Sequence, residues 1–109
     1  MNVRIFQLPI EHDRIFRGFD EKQYPKLSDY KEVYSYTHPY VMTDDIPDFL
    51  EDVFAKFNLR HPQDFKGHSL SVSDIVVFEF EDTSRVFFCD IVGWKELDPE
   101  KMGYIKLVG

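Results

Sequence analysis

The stretch DDIPDFLEDVFAKFN, residues 44 to 58, contains the strongest structural signal in the chain. Its apolar side chains recur at intervals of three and four residues: Ile46, Phe49, Leu50, Val53, Phe54 and Phe57. This spacing predicts an amphipathic helix over about 46–57, with one apolar face turned to a core. Asp45 is a suitable N-cap, Pro47 fits the first turn, and Asn58 can end the helix.

The chain before this helix favours strands. NVRIFQL (2–8) predicts a strand that ends at Pro9, and DRIFRGFD (13–20) predicts its hairpin partner. A polar connection with at most one helical turn follows, because Pro25 would break a longer helix. YKEVYSYT (30–37) alternates and predicts a third strand.

Beyond the helix, two apolar runs predict a second hairpin. DIVVFEFE (74–81) and VFFCDIV (86–92) are joined by a short polar turn, Gly93 and Trp94 end the pair, and GYIKLV (103–108) predicts a final strand. The predicted fold class is therefore α+β. An antiparallel-rich β-sheet, with two hairpins plus edge strands, packs against one long amphipathic helix.

Composition indicates a single soluble domain spanning residues 1–109, since 43% of the residues are apolar and 17% are aromatic. Cys89 is the only cysteine, which fits a reducing compartment. No secretory signal and no membrane-spanning apolar run are visible, so we expect a cytoplasmic protein. The net charge of −7 disfavours direct contact with nucleic acid or an anionic membrane. It leaves room for a basic protein partner, and a homo-oligomer is also possible.

The block HPQDFKGHSLSVSDIV, residues 61 to 76, concentrates the polar side chains that could carry chemistry. It has the residue types of a Ser-His-Asp hydrolase, but an extended segment would turn His68 away from the serines. A G-x-S-x-G elbow and a glycine-rich loop are both missing. We instead expect Pro62 and Gly67 to bracket a tight loop whose Asp and Ser side chains bind backbone donors. The prediction is no catalytic residue.

Other candidate sites are weaker. His61 and His68 flank a loop, His12 and His38 lie elsewhere, and Cys89 has no cysteine partner, so neither a metal nor any other cofactor is predicted. Asp90 lies in an apolar run, where a buried acid must find a hydrogen-bond donor. A structural role is the favoured interpretation of that residue.

Acidic residues line the start and outer face of the predicted helix: Asp44, Asp45, Asp48, Glu51 and Asp52. Such a stripe could imitate the phosphates of DNA, but it is too short alone. From Asp45 to Asp52 the helix rises about 10 Å and shows about four charges, whereas duplex DNA presents roughly six over that length. Acids in a first turn also complement the helix macrodipole.

The chain resembles the YodL-like domain family of Firmicutes proteins in its N-terminal third, with RIFQL (4–8) and FRGFD (16–20), and in three further places. The first is the helix ending, with Leu50, Val53, Phe54, Lys56, Phe57 and Asn58. The second is the block His61, Pro62, Asp64, Phe65, Gly67, His68, Ser69, Leu70, Ser71, Val72, Ser73 and Asp74. The third is Asp90, Gly93, Trp94, Lys95 and Glu96, where Trp94 replaces the usual Phe. The resemblance implies a compact module, in some cases encoded on mobile elements, and no reaction class.

Together these observations predict a non-catalytic protein-binding or regulatory module of a bacterial cytoplasmic protein. The candidate binding residues are His61, Asp64, His68, Ser69, Ser71, Ser73, Asp74 and Trp94, with Tyr40 as an aromatic neighbour. One alternative is an acidic DNA mimic or anti-restriction-type inhibitor of a DNA-binding enzyme. A Ser/His hydrolase is the less favoured alternative. Whether the 61–74 block is a contact surface or a structural scaffold stays open.

Overall fold

The computed structural model describes residues 1–39 and 46–104, and in this part of the chain five strands form one antiparallel sheet. The strands are β1 (Asn2–Gln7), β2 (Lys31–Thr37), β3 (Ile75–Phe80), β4 (Thr83–Cys89) and β5 (Trp94–Leu97). Their order across the sheet is β2-β1-β3-β4-β5. The helix α1 (Ile46–Leu59) connects β2 to β3 in the chain. The predicted α+β class is confirmed.

One face of the sheet is covered by α1. The helix buries Ile46, Leu50, Val53 and Phe57 in a cluster that includes Val3, Ile5, Val76 and Phe78 of the sheet. Phe49 and Phe54 are only partly buried at the edge of this cluster. The 3.6-residue periodicity therefore predicted the helix correctly, although it extends past Asn58 to Leu59. The predicted N-cap, Asp45, lies outside the described residues.

The opposite face of the sheet is covered by segments that contain no α-helix in the described ranges. Ile75, Val77, Val86 and Phe88 are buried there with Met102 and Tyr104. The segment between β1 and β2 packs onto this face through Phe19, Tyr24, Leu27 and Tyr30, and contains two 3₁₀ turns, Glu21–Gln23 and Leu27–Asp29. Because both faces are covered, β3 begins with four consecutive apolar residues, Ile75–Phe78.

The predicted hairpin between residues 2–8 and 13–20 is wrong. β1 pairs with β2 on one side and β3 on the other, while residues 13–16 form turns and residues 17–20 are irregular. Phe16 adopts a positive φ of 65°, which no strand tolerates, and this segment bonds to the end of the sheet through polar side chains.

The other hairpin, β3 with β4, is confirmed, with its turn at Glu81 and Asp82. The short strand β5 was not predicted, because Gly93 and Trp94 were expected to end the second hairpin. The predicted strand 103–108 lies largely outside the described residues. Within the two described ranges, no helix has the length and apolar character needed to cross a bilayer.

Candidate functional site

Asp74 lies at the centre of the polar block and is fully buried. Its Oδ2 accepts a hydrogen bond from the backbone N–H of Ser71 at 2.8 Å, and its own N–H donates to the Ser71 carbonyl at 3.0 Å. The carboxyl group thus closes a turn immediately before β3. Burial raises the pKa of this carboxyl to about 7, although hydrogen bonds from Ser71 and Gln7 oppose the shift.

Gln7 at the end of β1 joins the block to the sheet. Its Nε2 donates to Asp74 Oδ2 at 3.0 Å and to the carbonyl oxygen of His68 at 2.8 Å. Gly67 makes room for this side chain, because a Cβ there would lie 2.4 Å from Gln7 Oε1. Contacts between residues so far apart in the chain fix the loop against the sheet.

His68 lies between the buried carboxyl group and the surface. Its Nδ1 lies 2.7 Å from the carbonyl oxygen of Ser69, and its Nε2 lies 3.9 Å from Asp74 Oδ1. The ring packs edge-on against Phe16, with 5.5 Å between ring centroids. The imidazole is therefore held by contacts on several sides.

Ser73 and Asp90 fix the segment after β1 to the end of the sheet. Ser73 is buried, and its Oγ accepts from the Phe16 N–H at 3.1 Å. Tyr30 Oη donates to the Ser73 carbonyl at 2.7 Å. Asp90 Oδ1 accepts from the N–H groups of Phe19 and Ile91 at 3.1 and 2.8 Å. The donors that Asp90 was expected to need are therefore backbone amides.

The structure brings only part of the predicted binding set together. His68, Ser69, Ser71, Ser73 and Asp74 share one network, in which Ser71 Oγ donates to the Ser69 carbonyl at 2.7 Å. His61 and Asp64 are exposed elsewhere on the loop, and Asp64 accepts from Tyr34 Oη. Trp94 is half-buried against the helix-side core. The eight residues do not converge on one point.

Three exposed apolar side chains beside this network were not predicted from the sequence. Phe16 is 53% exposed, Ile91 75% and Val92 90%, and we call these three residues the apolar tip. Ile91 lies against the Phe16 segment, because a Cβ at Gly18 would lie 2.9 Å from Ile91 Cδ1. Ile91 and Val92 belong to the run that was assigned to a strand, so their sequence gave no signal of exposure.

A family model described as the YodL-like domain matches residues 2–99. The chain belongs to the YodL-like domain family. Comparisons with curated proteins and with solved structures found no match. The matched range contains the five strands, the helix, the 61–74 block and the apolar tip. The match therefore covers the whole candidate site of this YodL-like domain, and the name of the family specifies no reaction or partner.

The chemical capacity of the YodL-like domain follows from these contacts. In the described part of the chain, no hydrogen bond joins a histidine to a serine hydroxyl, and no group of three or more His, Cys, Asp or Glu side chains has the arrangement of a metal site. Cys89 is buried, and burial raises the pKa of its thiol to about 12. That thiol is protonated at neutral pH and is a poor nucleophile.

Proposed function

We propose that this YodL-like domain is a non-catalytic protein-binding or regulatory module of a bacterial cytoplasmic protein, and that the apolar tip is its contact surface. The observation that carries the proposal is that three large apolar side chains, Phe16, Ile91 and Val92, are exposed at one end of the sheet. An exposed apolar cluster beside polar groups is typical of an interaction site.

Phe16 supports a binding role in two ways. A bulky residue with a φ of 65° carries a backbone strain of roughly 1–3 kcal/mol. Its ring is also half exposed, so the folded domain gains little from burying it. A glycine or asparagine would fit this backbone with less strain. The benefit of a phenyl ring at this position is expected in a complex, where the ring is buried.

The tip is held in place before any partner arrives. Hydrogen bonds to Ser73 Oγ and Asp90 Oδ1 fix the backbone on both of its sides. Preorganisation of this kind lowers the entropy lost on binding. In this proposal the buried members of the 61–74 block, Ser73 and Asp74, support the tip, and His68 contacts Phe16 at its border.

The non-catalytic part of the proposal rests on how the polar atoms are used. Ser71 Oγ bonds to a backbone carbonyl, Ser73 Oγ bonds to a backbone amide, and His68 Nδ1 lies against a carbonyl. The cytoplasmic location is supported by the single buried cysteine, which would not form an internal disulfide.

The acidic DNA-mimic alternative has weaker support. Asp48, Glu51 and Asp52 are exposed on α1, but Lys56 and Arg60 lie with Asp52 around one surface pocket. Two cations beside the acids interrupt the run of negative charge that a DNA-binding enzyme would require.

Affinity purification from the native cells tests the proposal. The wild-type domain is compared with Phe16→Asn and with the double variant Ile91→Ser, Val92→Ser. Leu59→Ser is the matched control, because Leu59 is 80% exposed on a different element, at the end of α1. We expect a protein that the wild type and the control retain and both tip variants lose.

Sedimentation of the purified domain distinguishes a second copy from a different protein as the partner. A homo-oligomer that the tip variants dissociate would make the partner another copy of this chain. The proposal fails if the tip variants retain the same proteins as the wild type, or if the Leu59 variant loses them equally.

A further inference from the structure

A pocket with a volume of about 440 Å³ lies on the face of the sheet opposite α1, between the segment after β1 and the sheet. Pockets of this size hold small organic ligands in other proteins. Its floor is formed by Leu8, Phe19, Tyr24, Tyr30 and Phe88. Phe16, Ile91 and Val92 do not line this pocket, although Gly18 and Ser73, which contact the tip, do line it. The inference drawn from the pocket does not rest on the proposed function.

The rim of the pocket is basic although the protein is acidic. Three carboxylates and five basic side chains line it. The basic residues are Arg14, Arg17, Lys22, Lys26 and Lys101. The whole chain has 13 basic and 20 acidic residues, so this ratio is the reverse of the average. These cations come from residues 14–26 and from the segment after β5, and they lie close together only in the folded chain. The sequence therefore shows no basic stripe.

The three carboxylates of the rim are already engaged within the protein. Asp20 accepts from the Lys22 backbone N–H at 2.9 Å. Glu21 pairs with Lys101 at 3.7 Å, and Asp29 lies 3.8 Å from His12 Nε2.

Three of the cations are uncommitted. The side chains of Arg17, Lys22 and Lys26 make no hydrogen bond or ion pair with the residues that the structure describes. They are therefore available to an anionic ligand, and one or more phosphate oxygens would satisfy their donors.

The floor favours a flat ring. Phe19 packs edge-on against Tyr24 and Phe88, with ring centroids 5.5 and 5.9 Å apart. Aromatic walls of this kind bind planar groups by stacking and edge contacts. A phosphate ion alone would leave most of the 440 Å³ empty.

We infer that this pocket binds a small phosphorylated compound with a planar ring, of the size of a mononucleotide. The phosphate lies at Arg17, Lys22 and Lys26, and the ring lies on the aromatic floor beside Phe19. A nucleic acid polymer is disfavoured, because its phosphates would extend past the pocket over a surface with a net charge of −7.

Calorimetric titration with the four ribonucleoside 5′-monophosphates tests the inference. We expect at least one of them to bind with a dissociation constant of about 1 mM or tighter. Two controls separate the contribution of the phosphate from that of the ring. One is the nucleoside, which lacks the phosphate, and the other is the sugar phosphate, which lacks the ring. Each should bind at least about tenfold more weakly than the complete molecule.

Variants locate the binding. Arg17→Gln with Lys26→Gln should weaken the best probe by at least about tenfold, with a smaller salt dependence. Lys31→Gln with Lys66→Gln is the matched control, because it removes the same charge outside the pocket and should leave affinity within about twofold. Phe19→Leu should reduce the preference for the complete molecule over the sugar phosphate.

Three results would overturn the inference. The first is no binding by any of the four probes at millimolar concentration. The second is equal weakening by the control pair, which would indicate nonspecific attraction. The third is unchanged affinity in the Arg17, Lys26 variant.

Discussion

The Oδ1 atom of Asp74 lies 3.9 Å from Nε2 of His68, and both atoms are buried with no hydrogen-bond partner among residues 1–39 and 46–104. Both Nε2 protons of Gln7 are used, by Asp74 Oδ2 and by the His68 carbonyl. The short contact between His68 Nδ1 and the Ser69 carbonyl places a proton on Nδ1. In the neutral ring, Nε2 then carries a lone pair that faces the carboxyl group. A proton on Asp74 Oδ1 would point toward that lone pair and remove a buried negative charge.

The first prediction concerns pH. Burial raises the pKa of Asp74 from 3.8 to about 7. Between these values the folded chain holds a proton that the unfolded chain has lost, so stability falls as pH rises. The slope is about 1.4 kcal/mol per pH unit at most. The Asn side chain of the Asp74→Asn variant cannot ionise. The stability of this variant relative to the wild type should therefore increase as pH rises through the same window.

Urea denaturation at several pH values between about 4.5 and 8 measures this difference. Asp82→Asn is the control, because Asp82 is exposed in the β3–β4 turn. Its stability should follow the wild-type curve. Parallel curves for Asp74→Asn and the wild type would show that Asp74 titrates normally.

The second prediction concerns Gly67. A methyl group there would lie 2.4 Å from Gln7 Oε1, and Gln7 cannot move without breaking its bonds to Asp74 and His68. Gly67→Ala should therefore destabilise the domain by about 2–3 kcal/mol, measured by denaturation. Gly93→Ala provides the comparison, because it has a φ of +72° but open space around it. It should cost only about 1 kcal/mol. A smaller loss at Gly67 than at Gly93 would mean that the Gln7 side chain moves freely.

The third prediction concerns Arg4 of β1. Its guanidinium binds Glu32 and Glu79 and donates to Tyr104 Oη at 2.9 Å. Glu79 is only 9% exposed. Arg4→Met would leave this carboxylate with Tyr104 as its partner in the described part of the chain, at a cost of about 2–3 kcal/mol. In a Glu79→Gln background, Arg4→Met should lower the free energy of unfolding by less. Equal losses of stability in the wild-type and Glu79→Gln backgrounds would exclude a coupling between Arg4 and Glu79.

The elements that were predicted correctly are those whose pattern is local. The apolar stripe from Ile46 to Phe57 has a helical period, and the apolar runs of β3 and β4 flank a polar turn. Each pattern can be recognised within a short stretch of sequence. The 13–20 segment is different. Its amides bond to Ser73 and Asp90, which lie 57 and 71 residues away, and no short window contains both partners. The strand β5 has only four residues, two of them exposed.

In the candidate site, too, one feature could be predicted from the sequence and another could not. The interpretation that the polar atoms near Gly67 bind the main chain follows from the residue types, and Ser71 and Ser73 both do so. The identity of the buried acid did not follow. Asp90 was the acid singled out, yet Asp74 is the fully buried one, and its partner Gln7 is 67 residues away. A signal was present, since Asp74 directly precedes the apolar run of β3.

The fourth prediction links the 61–74 block to the apolar tip. Ser73→Ala removes the oxygen that accepts from the Phe16 N–H at 3.1 Å. It keeps the Ser73 backbone contacts to Tyr30 and Cys89, so the turn itself should persist. The lost bond should destabilise the domain by about 1 kcal/mol and raise the hydrogen-exchange rate of the Phe16 amide by several-fold. The Phe19 amide, held by Asp90, should exchange as in the wild type.

Partner binding should weaken in this variant although the three tip side chains are unchanged. The reason is that a loosened Phe16 backbone loses more entropy when the ring is buried in a complex. Hydrogen exchange of the free domain and affinity for the retained partner are measured on the same Ser73→Ala preparation. Faster Phe16 exchange with unchanged affinity would separate the 61–74 block from recognition, and unchanged exchange would mean that Ser73 does not hold the tip.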